Sequence, residues 1–201
     1  MKINLDLGDT RLIIRTADRA GILRNQLAYI LATAFWETNR TVKPVIEAYW
    51  LSEAWREKNL RYYPWHGRGY VQLTWQKNYL RAGKELDVDL TTDPEAALEP
   101  EIAAKILVHG SMRGWFTGKR LSDFVNIHKS NFISARRVIN GNDKAREIAE
   151  IAQDYDAALL SERFGVIAPP ADYAPDPHEA PAPFWAGLIS ALVSFFRKGA
   201  K

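Results

Sequence analysis

Three observations predict a mainly α fold with one small β element. Apolar residues recur at three- and four-residue spacing over several long stretches, the signature of helices that bury one face. The stretch that alternates residue type, Tyr70-Val71-Gln72-Leu73-Thr74, is short and sits just after Gly67-Arg68-Gly69. No internal repeat and no dinucleotide-binding glycine pattern interrupts this organisation. With 201 residues and 47% hydrophobic content, the chain is long enough for one well-buried domain and a tail.

The first helix is expected from about Asp18 to Glu37, with Leu23, Leu27, Ile30, Leu31 and Ala34 on its core face. Glu37 falls at its far end, beside Thr38-Asn39-Arg40. Pro44 breaks the chain, and Glu47 to Asn59 then reads as helical with Trp50, Leu51, Ala54 and Trp55 as the apolar stripe. At that spacing Trp50 and Trp55, like Trp115, are expected in the core. Tyr62 to Gly67 is a loop, Tyr70 to Thr74 a strand, and Gln76 to Leu86 a helix. An acidic connection, Asp87 to Asp93, leads to Pro94, which suits the first position of a helical turn. Pro100 to Trp115 and Asn131 to Ile139 are also helical in register. Asn142 or Asp143 then caps a last helix reaching about Ser161, supported by Glu147.

Beyond a domain ending near residue 165 the composition changes. Residues 166–183 hold Pro169, Pro170, Pro175, Pro177, Pro181 and Pro183 among Ala, Asp and Glu, which reads as an extended linker. Residues 184–201 read as an amphipathic helix with a basic end, its apolar run Phe184 to Phe196 shorter than the roughly 20 residues a bilayer crossing needs. Such a helix either lies in an anionic membrane or lipopolysaccharide interface or docks onto the domain.

Composition narrows the chemistry. Without cysteine there is no disulfide framework and no thiolate metal site. His66, His109, His128 and His178 are scattered without ligand spacing, so neither a metal nor another cofactor is expected. Met1-Lys2-Ile3-Asn4-Leu5-Asp6 lacks the basic region and apolar core of a secretory signal. A net charge of +3 hides an uneven distribution. Residues 54–84 carry seven Lys or Arg against Glu57, and residues 85–100 carry six acids and no base. The basic segment suits an anionic envelope polymer; nucleic acid is disfavoured because no helix-turn-helix, zinc-finger or RNP signature accompanies it.

The densest chemistry lies in Gly67-Arg68-Gly69-Tyr70-Val71-Gln72-Leu73-Thr74-Trp75 and the following Asn78-Tyr79, which combine turn glycines, hydrogen-bonding side chains and stacking aromatics. Together with Trp36-Glu37-Thr38 at a helix end, Glu47 ten positions later and Ile139-Asn140-Gly141, this run resembles glycoside hydrolase family 19, the family of chitinases and many phage endolysins. The resemblance covers about residues 20–160. Glu47 to Glu53 and Leu60 to Pro64 look most similar to phage and prophage enzymes that cut peptidoglycan. Two positions depart from the family pattern: Trp36 stands where His is usual, and Asn142 where a second Gly is common.

The resemblance implies an α+β, lysozyme-like domain with one β-hairpin and two lobes around a sugar cleft. It implies a monomeric endolysin that hydrolyses β-1,4 bonds of peptidoglycan with inversion, held in the host cytoplasm until release to the cell wall. Glu37, flanked by Phe35 and Trp36, is the expected general acid, desolvated as an acid working near neutral pH must be. Glu47 is the expected base that activates water, with Glu53 and Glu57 as alternatives, and Thr74 holds that water. Arg68, Tyr70, Gln72, Asn78, Tyr79 and Asn140 are the expected sugar-binding residues, with Arg68 either paired to a catalytic carboxylate or bracing the loop. Trp75 is another stacking candidate, although core packing is the stronger expectation for it. Chitin hydrolysis, a lytic transglycosylase and a non-catalytic wall-binding or membrane-disrupting module are the competing readings.

Overall fold

The computed structural model describes residues 1–165, so the linker and the C-terminal helix expected over 166–201 lie outside the described residues. Within them seven α-helices and two small two-stranded antiparallel sheets give a mainly helical architecture, as predicted. The helices are α1 (Thr10–Arg19), α2 (Arg24–Glu37), α3 (Glu53–Asn59), α4 (Gln76–Leu86), α5 (Pro100–Arg113), α6 (Phe132–Ala135) and α7 (Ala145–Ser161). Strands β1 (Val45–Ile46) and β2 (Arg68–Gly69) pair with Val45 opposite Gly69, and β3 (Val125–Asn126) pairs with β4 (Lys129–Ser130). Pro94 does begin a helical turn, the 3-10 segment Pro94–Leu98.

Helix α2 is the centre of the core. Every residue from Gln26 to Phe35 is buried, so the single apolar face expected from spacing is in fact a helix enclosed on all sides. It packs chiefly against α7, where Phe35 meets Tyr155 edge to face, and its Tyr29 stacks on Phe132 of α6. Burying a side chain such as Leu27, Ile30 or Leu31 contributes about 1.5–3 kcal/mol each. The polar Gln26 is tolerated because its side-chain amide donates to the Val125 carbonyl oxygen, tying the β3–β4 hairpin to this helix.

Four sequence expectations are corrected. The helix expected over 18–37 is two, because Gly21 takes a left-handed φ of +65° and the Ile22 N–H closes back onto Ala17; Leu23 is left exposed at the start of α2. The helix expected over 47–59 begins only at Glu53, after a turn braced by buried Arg56, which donates to the carbonyls of Ala48 and Leu51. Trp50 and Trp55 consequently lie on the surface, whereas Trp115 is buried as expected. The alternation at Tyr70–Thr74 is not a strand: Gly69 and Gln72 have φ of +82° and +52°, and Arg68 and Leu73 exchange both backbone hydrogen bonds to close a tight turn. Neither Asn142 nor Asp143 caps α7; Lys144 stands there with φ of +56°, and the Asp143 carbonyl accepts from Arg136 instead.

The end of α2 is held by Thr38. Its buried hydroxyl donates to the Ala34 carbonyl and accepts from the Val42 N–H, which turns the chain sharply after Glu37. Thr38→Val keeps the volume but leaves the Val42 N–H unpaired, so unfolding free energy is expected to fall by about 1–3 kcal/mol. Urea titration measures this as a lower midpoint at constant slope; an unchanged midpoint would refute the assigned role.

Candidate functional site

Strands β1 and β2 bring two distant segments together and build one wall of a groove. The organising group of that wall is the Arg68 guanidinium, whose side chain is 2% exposed. It donates to the carbonyls of Pro64 and His66, to the Tyr79 hydroxyl and to the Glu95 carboxylate, shaping the Pro64–Gly69 loop from inside. Gly67 is needed for close approach: a Cβ there would lie 2.6 Å from Gln72 Oε1 and 3.2 Å from Glu47 Oε2. Gln72 Nε2 donates to the Val45 carbonyl across to β1, and Asn78 Nδ2 donates to the Thr74 carbonyl.

Glu47 leaves β1 on a turn. Its Oε1 accepts from the Tyr62 hydroxyl at 2.7 Å and its Oε2 from the Gly67 N–H at 2.8 Å. Burial, with the hydrogen bond to Glu47 second, pushes the Tyr62 phenol up to about 12, so it remains a donor to the carboxylate near neutral pH.

The facing wall comes from the end of α2 and from the 116 and 139–140 segments. Glu37, with its side chain 19% exposed, accepts at Oε1 from Arg136 Nη1 at 2.7 Å; Arg136 is 4% exposed. The partly buried Glu37 expected beside Phe35 and Trp36 also has a charge partner that the sequence did not show, since it is ion-paired across 99 residues of sequence. Its Oε2 makes no hydrogen bond among the described residues.

Two adjoining cavities share Glu37 and Gln72. The first, about 360 Å³, is lined by Thr74, Trp75, Asn78, Asn140, Tyr62 and Phe116 among others. The second, about 700 Å³ and more apolar, includes Glu47, Ala48, Tyr49, Trp50 and Lys43. Non-glycine residues with left-handed backbone gather here: Asn39, Ala48, Gln72 and Trp75 have φ between +50° and +76° and all line one cavity or the other. Such costly conformations concentrate where surrounding structure holds a surface in one shape.

Of the residues expected from sequence, Glu37, Glu47, Thr74, Gln72, Asn78 and Asn140 line these cavities. Arg68, Tyr70 and Tyr79 do not, and as sugar contacts they are corrected. Arg68 pairs with Glu95, Tyr70 donates to Asp9, and Tyr79 donates to the His66 carbonyl, all three side chains being buried. Trp75 reverses its expectation in the other direction: it is 41% exposed, packs on Tyr62 at 4.9 Å between ring centroids, and lies under the Arg61 guanidinium. Of the rival carboxylates, Glu53 pairs with Arg56, and neither Glu53 nor Glu57 lines the groove. Sequence reading missed Tyr62, Tyr49 and Trp50 as groove residues and Arg136 as the partner of Glu37. For Arg136 the available signal was its place just before Ile139-Asn140-Gly141.

No group of three or more His, Asp or Glu side chains able to hold a metal occurs among the described residues. The chain matches no protein-family model and no curated protein.

Two outcomes follow from the site's buried charges. Removing Arg136 strands the Glu37 carboxylate, so Arg136→Met is expected to lower stability by about 3 kcal/mol; Arg11→Met, which breaks an exposed bridge to Glu162, is expected to cost under about 1 kcal/mol. Equal losses in denaturant titrations would contradict this. Behind Gly67, the buried His66 ring stacks on Tyr63 with neither nitrogen hydrogen-bonded, and burial, then Arg68, lowers its pKa below the ordinary 6.5. The unfolded chain therefore takes up a proton at this site that the folded chain refuses, and stability falls as pH drops through about 6.5. His109 acts with the same sign. Melting temperatures from about pH 7 to about pH 5 are expected to fall less steeply in His66→Phe; an unchanged slope would exclude His66 as a contributor.

Proposed function

We propose that this chain is an endolysin-type glycoside hydrolase that cleaves β-1,4 bonds in the glycan backbone of bacterial peptidoglycan by an inverting general acid/base reaction. The observation that carries the reading is the presence of two carboxylates, Glu37 and Glu47, on adjoining cavities joined at Gln72 and edged by exposed aromatic rings. The motif resemblance to glycoside hydrolase family 19 supplies the reaction class.

In this mechanism Glu37 acts once its Oε2 has taken up a proton, giving it to the glycosidic oxygen as the bond from that oxygen to the anomeric carbon breaks. Arg136, holding Oε1, fixes the carboxyl group and stabilises the carboxylate left behind. A water on the opposite face of the sugar attacks the anomeric carbon, and Glu47 takes its proton. Both Glu47 oxygens already accept one hydrogen bond, which orients the group, and each retains a lone pair for that water. Thr74 Oγ1 donates to the Gln72 carbonyl and so turns its own lone pairs toward an incoming donor. Asn78 Oδ1 and Asn140 Nδ2 are available to N-acetyl groups and hydroxyls, and Trp75 offers a ring face to a sugar.

Glu37→Gln and Glu47→Gln are each expected to reduce release of reducing ends from purified peptidoglycan by about 10²–10⁴. Wild-type products are expected to carry inverted anomeric configuration by NMR. Wall digestion by Glu37→Gln at the wild-type rate would overturn the mechanism. A 1,6-anhydro product would point to a lytic transglycosylase, and cleavage confined to chitooligosaccharides would point to chitin.

A further inference from the structure

The groove continues beyond the carboxylates. Asn78 and Phe116 line the central cavity and also a third cavity of about 480 Å³, whose remaining walls are Lys77, Arg81, Trp115, Thr117 and Gly118. No carboxylate lines it. Lys77 and Arg81 stand four residues apart on α4, hence on one face, and neither forms a salt bridge among the described residues. The one hydrogen bond of Arg81 is long, 3.4 Å to the Gly114 carbonyl. Trp115 is 2% exposed, yet its indole N–H has no partner among the described residues.

An unpaired buried donor costs free energy, and the Trp115 ring that carries this one lines the cavity. Two unpaired cations beside it raise the local potential for an anion, and a planar guanidinium matches a carboxylate in geometry as well as charge. Two other basic groups of this stretch, Arg56 and Arg68, are paired with Glu53 and Glu95, and Arg61 lies over Trp75 at the central cavity. The charge of residues 54–84 thus reaches the groove at this end through Lys77 and Arg81. A neutral sugar polymer offers these cations no anion.

We propose that the Lys77–Arg81–Trp115 cavity is a subsite for a carboxylate borne by the bound glycan strand, such as those of its peptide stems. This rests on the peptidoglycan reading above and extends it: the subsite selects an anionic, peptide-bearing glycan over a neutral one.

The test is binding in the full chain carrying Glu37→Gln, which holds fragments uncleaved, compared with the same chain carrying in addition Lys77→Gln and Arg81→Gln. The probes are peptide-bearing peptidoglycan fragments and the same fragments with every carboxylate capped as an amide. The double substitution is expected to weaken binding of the carboxylate form about tenfold, with a loss that shrinks as salt rises, and to leave binding of the capped form unchanged. Both positions are exposed on α4, and matching melting temperatures exclude a folding defect. Equal affinity for carboxylate and capped fragments, or equal weakening of both, overturns the subsite. Displacement of the fragment by a glycerol-phosphate polymer, with no sensitivity to capping, overturns it in favour of a phosphate site. Binding with the expected selectivity but no reducing ends released by the unsubstituted chain would leave the subsite standing and sink the hydrolase reading, whereas no binding of either fragment would sink both.

Discussion

Helix α2 is buried on every side from Gln26 to Phe35, and a helix enclosed in that way meets solvent only at its ends. The groove is located by that constraint. Polarity resumes at Glu37, and the buried Thr38 hydroxyl turns the chain away at once, so the carboxylate is delivered by a helix packed on all sides. Arg136 closes the arrangement by bringing the segment between α6 and α7 onto the same carboxylate. A group placed by a packed helix and an ion pair has little freedom to wander, which is what a reaction at a fixed bond requires.

Three buried arginines do the comparable work on loops that have no regular structure. Arg56 gathers the carbonyls of the turn after Glu47, Arg68 those of the Pro64–Gly69 loop, and Arg136 the Asp143 carbonyl. Backbone carbonyls in an irregular, buried segment need donors, and a guanidinium offers five in a fixed fork. Each arginine also meets one carboxylate, Glu53, Glu95 or Glu37, which offsets part of its desolvation. Glu37 alone among those partners also lines the groove, so there the structural and the proposed chemical roles coincide.

The groove changes character along its length. Trp50 and Tyr49 stand at the apolar end with Glu47, Glu37 lies at the junction, and Lys77 with Arg81 closes the other end. Such a gradient gives a bound polymer a direction as well as a place. On the proposed reading, an unbranched neutral glycan would use the aromatic end and the centre only, whereas a strand carrying anionic branches would engage all three parts.

The primary structure by itself determined the mainly helical class, the extent of α4 and the start of the turn at Pro94, because these depend on periodicity and proline geometry, and a motif resemblance singled out Glu37 and Glu47 as the carboxylates to consider. It also picked out Gln72, Thr74, Asn78 and Asn140, polar residues in short motifs whose side chains do reach the groove. Only the tertiary structure decided which aromatic rings face outward. Tyr70 and Tyr79 read like a sugar platform but turn inward to meet Asp9 and Arg68, while Trp50 and Trp75 read like core but turn outward because left-handed backbone at Ala48 and at Trp75 itself breaks the period that would have buried them. Arg136 was hard to read for a related reason: its partner lies 99 residues away, and a place just before Ile139-Asn140-Gly141 does not say that folding brings it to Glu37.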